Sequence, residues 1–314
     1  MKTTAFAILS VVLVCCNAAY ADMFGSGENL FEIEFVTIGN PGNAADTTGT
    51  PNPAGKVDNT FRIGKFEISE DMINKANALG GLGLTHDNRG ANKPATSVSW
   101  FGAAKFVNLL NTSSGSTEAY KFDGDGNFRL WRSEDAGYNP ANLYRNSLAT
   151  YFLPSVDEWY KAAYYNGVTG SYGDYPTAGR PTAVATGTAP DTAVYATATG
   201  SVPADITLAG GLSPYGTMGQ GGNVWEWEET DTDLVNDSVT DLESDGGLIS
   251  SRIFRGGGRH SFTALLSSLS VLGSQDPINE SNNVGFRVAS IPEPTTCGLA
   301  LAALCLAMSR RRTC

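Results

Sequence analysis

The chain has 314 residues and a formal net charge of −11, with 36 glycines and 14 prolines. An acidic surface repels phosphate backbones, so nucleic acid is excluded as an expected partner, whereas cations such as calcium are attracted. The length is ample for a hydrophobic core, and the glycine and proline content indicates many loops and turns.

The first 21 residues have the pattern of a secretory signal peptide. Lys2 is followed by an apolar run from Ala5 to Val14, and Ala19-Tyr20-Ala21 has the small-x-small form of a cleavage site. The alternative is a membrane anchor, but a spanning helix needs roughly 20 apolar residues and this run is shorter. We expect residues 1–21 to be removed and the exported protein to begin at Asp22.

Residues 22–290 carry dispersed helix and strand signals. Two segments combine a helical period with a serine N-cap, Ser99 in 97–111 and Ser155 in 153–166, where Glu158 completes a capping box. Short apolar segments favour strands at 31–39, 60–69, 251–258 and 284–291. The Ala/Thr/Gly-rich stretch 177–211 predicts a long surface excursion. Together these signals predict one α+β domain.

The C-terminal segment, residues 291–314, has the layout of a sorting signal. The triplet Pro292, Glu293, Pro294 precedes a short apolar stretch, and the chain then carries Arg310, Arg311 and Arg312. This order resembles the PEP-CTERM signal of Gram-negative bacteria. The resemblance implies transient inner-membrane anchoring, with the arginines as a basic stop on the cytoplasmic side, followed by cleavage by an exosortase. We expect delivery to the cell envelope or outside the cell; the alternative is a permanent tail anchor.

Cysteine is confined to the two ends of the chain. Cys15 and Cys16 lie in the predicted signal peptide and Cys297, Cys305 and Cys314 in the predicted sorting tail, with none between residues 22 and 291. The exported domain therefore has no disulfide and no thiol for chemistry, and its stability must come from its core.

Six blocks, in order, resemble the formylglycine-generating-enzyme family, also called sulfatase-modifying factors. They include YGTMGQGGNVWEW, FRGGGRHS and NNVGFRVA, and they lie at 61–79, 94–111, 151–165, 215–227, 254–261 and 282–289. The resemblance implies an irregular, loop-rich α+β fold related to C-type lectin-like domains, with bound calcium.

The resemblance also identifies the positions at which the copper ligands of active members should stand. Active members bind copper through two cysteines, which fall on Ser261 and Leu266 here. A hydroxyl and an alkyl group cannot replace soft thiolate ligands, so copper is not expected and formylglycine-generating activity is predicted to be absent. His86 and His260 are far apart in sequence and do not form an iron site, and Ser261 beside His260 lacks the G-x-S-x-G elbow of a hydrolase.

The stretch GQGGNVWEW, residues 219–227, has two compatible interpretations. By resemblance it is a calcium site, in which Glu226 supplies a carboxylate and Gly222 and Val224 supply backbone carbonyls. It is also a packed corner, in which Trp225 and Trp227 anchor the core and Asn223 satisfies backbone groups. The family often has Asp or Asn where this chain has Gly219, so one side-chain ligand is missing.

Three further features are weaker signals. Residues 123–134 resemble the start of an EF-hand loop, with Asp123 and Glu134 at its two ends, but the glycine at position six is Phe128, and the simpler alternative is a plain turn. Arg255 and Arg287 lie on predicted strands and are expected to be buried ion-pair partners. Arg259 stands where the family usually has an aromatic residue.

We therefore hypothesise a non-catalytic member, a pseudoenzyme, that is exported and binds a carbohydrate or a protein of the envelope or extracellular matrix. One alternative is a formylglycine-generating oxidoreductase that activates sulfatases, which would need the missing cysteines. A second is a purely structural matrix protein that binds only itself.

Overall fold

The computed structural model describes residues 20–237 and 251–292. In this part of the chain, helices occupy α1 Glu70–Gly80, α2 Trp100–Ser113 and α3 Val156–Tyr164. Strands occupy β1 Tyr20–Phe24, β2 Phe31–Ile38, β3 Phe61–Gly64, β4 Lys121–Phe122, β5 Phe128–Arg129, β6 Tyr151–Phe152, β7 Tyr165–Asn166, β8 Ser171–Tyr172, β9 Thr182–Val184, β10 Thr192–Val194, β11 Trp225–Asp231, β12 Arg252–Arg255, β13 Gly273–Gln275, β14 Val284–Phe286 and β15 Ala289–Ser290.

Two larger sheets organise these short strands. The first has the order β1-β2-β3-β15-β6 and is antiparallel throughout. The second has the order β13-β12-β11-β14, in which only β11 and β14 run parallel. The remaining strands form two-stranded ribbons. The mixture of few helices, short strands and long connections confirms the predicted irregular, loop-rich α+β fold.

Local capping explains where the helices begin. The Ser99 hydroxyl accepts a hydrogen bond from the Gly102 amide, and Ser155 and Glu158 form the predicted capping box of α3. Helix α1 was not predicted, although its sequence contains the signals. Ser69 caps its start, two acidic residues occupy its first turn, and Gly81 ends it at a φ of 61°.

The core is dominated by aromatic rings around α2. Trp100 is fully buried and meets Tyr120 and Phe128 edge-to-face, each at 5.3 Å between ring centroids. Its indole N–H donates to the backbone oxygen of Glu228 on β11, which ties the helix to the second sheet. Such pairs add stability beyond the burial of apolar area.

The stretch 177–211 is not only a surface excursion, and this prediction is corrected. It contains the parallel ribbon β9–β10, and Val194, Ala204, Ile206 and Ala209 are buried. The reason is a set of long-range backbone hydrogen bonds, which join this stretch to Asn92, Asn223, Arg259 and Ser261 and which a composition rich in Ala, Thr and Gly does not reveal.

The two predicted targeting segments fall outside the described residues except for Tyr20, Ala21, Ile291 and Pro292. The signal peptide and the sorting tail, including Glu293, Pro294 and Arg310 to Arg312, therefore stay predictions. Asp22, the expected first residue after cleavage, pairs with Arg62 at 2.7 Å. Within the described ranges, no helix has the length and hydropathy that crossing a bilayer requires.

Candidate functional site

The turn that precedes β11 is held by one asparagine. Asn223 has a left-handed φ of 59°, which asparagine tolerates better than most residues. Its amide N–H donates to Val194 O at 2.7 Å, its Oδ1 accepts from the Ala204 amide at 2.8 Å, and its carbonyl accepts from the Arg259 amide at 2.8 Å. One residue thus fixes three separate loops around the start of the strand.

Two glycines make this turn possible. Gly222 has a φ of 97°, and a Cβ there would lie 2.3 Å from Val194 O. Gly219 has a φ of 80°, and a Cβ there would lie 2.7 Å from Oε1 of Glu67. The space beside Gly219, where the family often has an acidic or amide side chain, is therefore filled by Glu67.

Glu226 forms a buried ion pair. Arg287 donates from Nη2 to Oε1 at 2.5 Å and from Nε to Oε2 at 2.6 Å, and the Trp159 indole donates to Oε2 at 2.7 Å. The guanidinium also donates to Gly64 O and Met218 O. Burial alone would lower the pKa of Arg287, but the Glu226 carboxylate outweighs it and raises that pKa above its ordinary value.

Glu67 is a second buried carboxylate beside this pair, and sequence reasoning missed it. Its Oε1 accepts from Asn223 Nδ2 at 2.9 Å, whereas its Oε2 is buried and has no hydrogen-bond partner among the described residues. Burial, together with the negative charge of Glu226, raises the pKa of Glu67 to about 7. The available signal was Gly219, which leaves room for a side chain from elsewhere.

The predicted calcium ligands Gly222, Val224 and Glu226 lie in one turn, but they do not fit a cation as placed. Both Glu226 oxygens accept hydrogen bonds from Arg287, so a calcium ion would have to displace a buried guanidinium. Within residues 20–237 and 251–292, no group of three or more His, Cys, Asp or Glu could hold a metal ion. The structure does not test calcium binding, but this geometry disfavours it at Glu226, and no chemistry is derived through it.

We expect calcium to have little effect on thermal stability. A ligand at 100 times its Kd stabilises a protein by about 2.7 kcal/mol, which corresponds to roughly 5–10 °C for a domain of this size. Because Arg287 already neutralises Glu226, melting in 5 mM calcium and in chelator should agree within about 1 °C. A calcium-dependent rise of several degrees, absent in Glu226→Gln, would instead restore the calcium site.

The EF-hand interpretation is wrong, because residues 123–134 begin with a tight hairpin. Asp123 lies between β4 and β5 and accepts from the Asp125 and Asn127 amides at 3.0 and 2.9 Å. It also pairs with Arg129 at 2.6 Å. Its carboxylate therefore stabilises the turn, as the simpler alternative predicted.

Beside the Asn223 turn lies an open pocket of about 230 Å³, called the Arg259 pocket below. Its lining consists of Trp225, Gly258, Arg259, His260, Ser261, Phe262, Leu265 and Asn283. Trp225 is half-buried at the start of β11, where its amide donates to Asn283 O. The chain reverses after β12, and the Ser261 hydroxyl accepts from the Gly258 amide at 2.9 Å. These bonds fix the backbone beneath the pocket.

The side chains of the pocket differ strongly in exposure. Phe262 is 65% exposed and His260 is exposed, whereas Arg259 is only 6% exposed. Arg259 donates from Nε to Ser201 O at 2.8 Å, and its Nη1 is buried without an acceptor in the described residues. Burial and the nearby positive charge of Arg89 lower the pKa of Arg259. The pocket thus combines two aromatic rings with a buried cation.

Residues 35–291 match the model of the sulfatase-modifying factor enzyme 1-like domain. The chain belongs to this family. No curated protein matches it in sequence.

Solved structures agree with this family at the level of fold. Treponema denticola variable protein 1 is similar over 88% of this chain and 100% of its own, with 18% identity and a TM-score of 0.58. CarF is similar over 83% of this chain and 99% of its own, with 18% identity and a TM-score of 0.58. PvdO from Pseudomonas aeruginosa is similar over 86% and 98%, with 17% identity and a TM-score of 0.50.

In this sulfatase-modifying factor-like domain, the two positions that the resemblance assigns to copper ligands have different surroundings. Ser261 lies in the pocket wall, where its hydroxyl is bonded to the backbone. Leu266 is fully buried against Ala193 and Tyr195. Neither side chain fits a copper ion, since soft sulfur is lacking. The absence of copper chemistry stays a prediction.

Arg255 and Arg287, both expected to be buried ion-pair partners, have different environments. Arg287 is a buried ion-pair partner, as expected. Arg255 is buried too, but its Nη2 donates to Ser268 O at 2.9 Å and its guanidinium lies 4.8 Å from the Tyr160 ring centroid. Carbonyl oxygens and aromatic rings, rather than a bonded carboxylate, surround this charge, so the ion-pair expectation for Arg255 is corrected.

Proposed function

We propose that this chain is an exported, non-catalytic binding protein of the cell envelope or extracellular matrix, and that the Arg259 pocket holds a carbohydrate. Export is supported by the signal-peptide pattern, and processing by an exosortase is supported by the sorting tail. The observation that carries the binding proposal is the pocket, which gathers aromatic rings and polar groups around Ser261, one of the two positions that the resemblance assigns to copper ligands.

The composition of the pocket suits a sugar ring. The C–H faces of a pyranose pack against aromatic rings, which Trp225 and Phe262 supply, and its hydroxyls need fixed donors and acceptors. His260 and Asn283 offer such groups at the rim. Ligand sites commonly combine aromatic walls with a few polar groups in this way.

Replacing Phe262 with alanine should weaken carbohydrate retention roughly tenfold, because an aromatic wall is lost. Affinity electrophoresis in gels that contain polysaccharide from the producing cell's envelope measures this effect. Leu269→Ala is the matched control, since Leu269 is also exposed (59%) and does not line the pocket. If the unaltered protein is not retarded by any envelope polysaccharide, the carbohydrate proposal is abandoned in favour of a protein ligand.

A further inference from the structure

We infer that the carbohydrate of the Arg259 pocket is acidic, and that Arg259 binds its anionic oxygen group, a carboxylate or a sulfate. This inference rests on the proposed function and specifies its ligand.

The charge of the pocket is opposite to that of the chain. The chain has 32 acidic and 21 basic residues, yet no aspartate or glutamate lines the pocket, whereas Arg259 and His260 both do. A cleft lined by one sign of charge attracts ligands of the other sign.

Arg259 also differs from the buried arginines that form ion pairs, although Arg255 likewise has no carboxylate partner among the residues that the structure describes. Arg287 pairs with Glu226. Buried Arg62 and Arg252 pair with Asp22 and Asp231 in the same way. For Arg259, no carboxylate of residues 20–237 and 251–292 lies within salt-bridge distance. A buried cation without a partner is costly, so an anion that reached it would be stabilised.

The charges around Arg259 strengthen this argument. Asp87, the acid whose charge acts on Arg259, is already engaged, because it pairs with Arg89 at 3.2 Å and accepts from the Ser97 hydroxyl at 2.9 Å. Arg89 in turn donates to Asn282 O at 2.8 Å, next to the pocket residue Asn283. Arg89 is thus a second cation near Arg259, and a ligand anion would relieve their mutual repulsion.

The net negative charge of the chain limits how many negative charges the ligand can carry. The strongly negative chain repels a long polyanion, whereas a short acidic sugar brings only a few charges close to the pocket. A terminal uronate or sulfated residue fits these conditions.

Calorimetry with three trisaccharides tests the inference: trigalacturonate, its neutral methyl ester, and 6-O-sulfated galactotriose. We expect trigalacturonate or the sulfated sugar to bind at least about tenfold more tightly than the ester, since a charge-assisted hydrogen bond is gained. The stronger of the two acidic ligands identifies the anionic group. Arg259→Gln should remove this preference and leave the affinity for the ester within about twofold, whereas Arg259→Lys should keep part of it.

Two further readouts keep the test decisive if Arg259→Gln melts too early to be used. The preference of the unaltered protein should fall as salt rises from about 0.05 to 0.5 M, and the affinity for the ester should not. Equal binding of acid and ester overturns the inference but leaves carbohydrate binding intact. Failure of all three sugars removes both, and a preference that survives in folded Arg259→Gln assigns the anion to another residue.

Discussion

Replacing Arg287 with methionine should lower the free energy of unfolding by about 3–5 kcal/mol at pH 7. The Glu226 carboxylate would remain buried without its bidentate partner, and the carbonyls of Gly64 and Met218 would lose their donor. Urea denaturation measures the loss.

Two control variants test whether the loss of stability comes from the buried Arg287–Glu226 pair. Asp58→Asn breaks the Lys56–Asp58 pair, whose side chains are 58% and 77% exposed, and should change stability by less than about 0.5 kcal/mol. Combining Arg287→Met with Glu226→Leu should recover part of the loss, because the Glu226 carboxylate is then no longer buried without its partner. A single-variant loss below about 1 kcal/mol would mean that the pair does not anchor the turn.

Replacing Glu228 with glutamine should stabilise the protein at alkaline pH. Both carboxylate oxygens of Glu228 are buried without a hydrogen-bond partner in the described part of the chain. Burial, opposed by Arg255 and assisted by Asp157 and Glu226, raises the pKa of Glu228 from 4.5 to about 8. The folded state therefore holds this proton more tightly than the unfolded state, so stability falls as pH rises from about 4.5 to 8.

The amide of Glu228→Gln cannot ionise and escapes this cost. The gain in unfolding free energy should be close to zero at pH 4.5 and on the order of 3–4 kcal/mol at pH 8. Chemical denaturation at both pH values measures it, with the exposed residue Glu28 as the control in Glu28→Gln. An equal gain, or an equal loss, at the two pH values would show that ionisation of Glu228 is not the cause.

The sequence allowed prediction of the features that depend on local signals. Helices α2 and α3 were identified because Ser99 and Ser155 cap them, and the burial of Arg287 followed from its place on an apolar strand. Helix α1 carries equally local signals at Ser69 and Gly81, but the preceding segment was assigned to a strand that extends to residue 69. The strand in fact ends at Gly64.

Features that join distant segments could not be predicted. Glu67 fills the space beside Gly219, 152 positions away, and Arg259 donates to Ser201 across 58 positions. Arg259 replaces the aromatic residue that the family resemblance predicts, but its unpaired charge depends on which carboxylates the fold brings near it. That arrangement is a property of tertiary packing, which no local period or spacing encodes.

Asn223 has a consequence for how this protein can diversify. It fixes the backbone beneath the pocket from below, through bonds to Val194, Ala204 and Arg259, while His260 and Phe262 project from the rim into solvent. The backbone support and the proposed binding surface are therefore carried by different residues. For the pocket we propose, substitutions at the rim should change ligand affinity without unfolding the loops that support it.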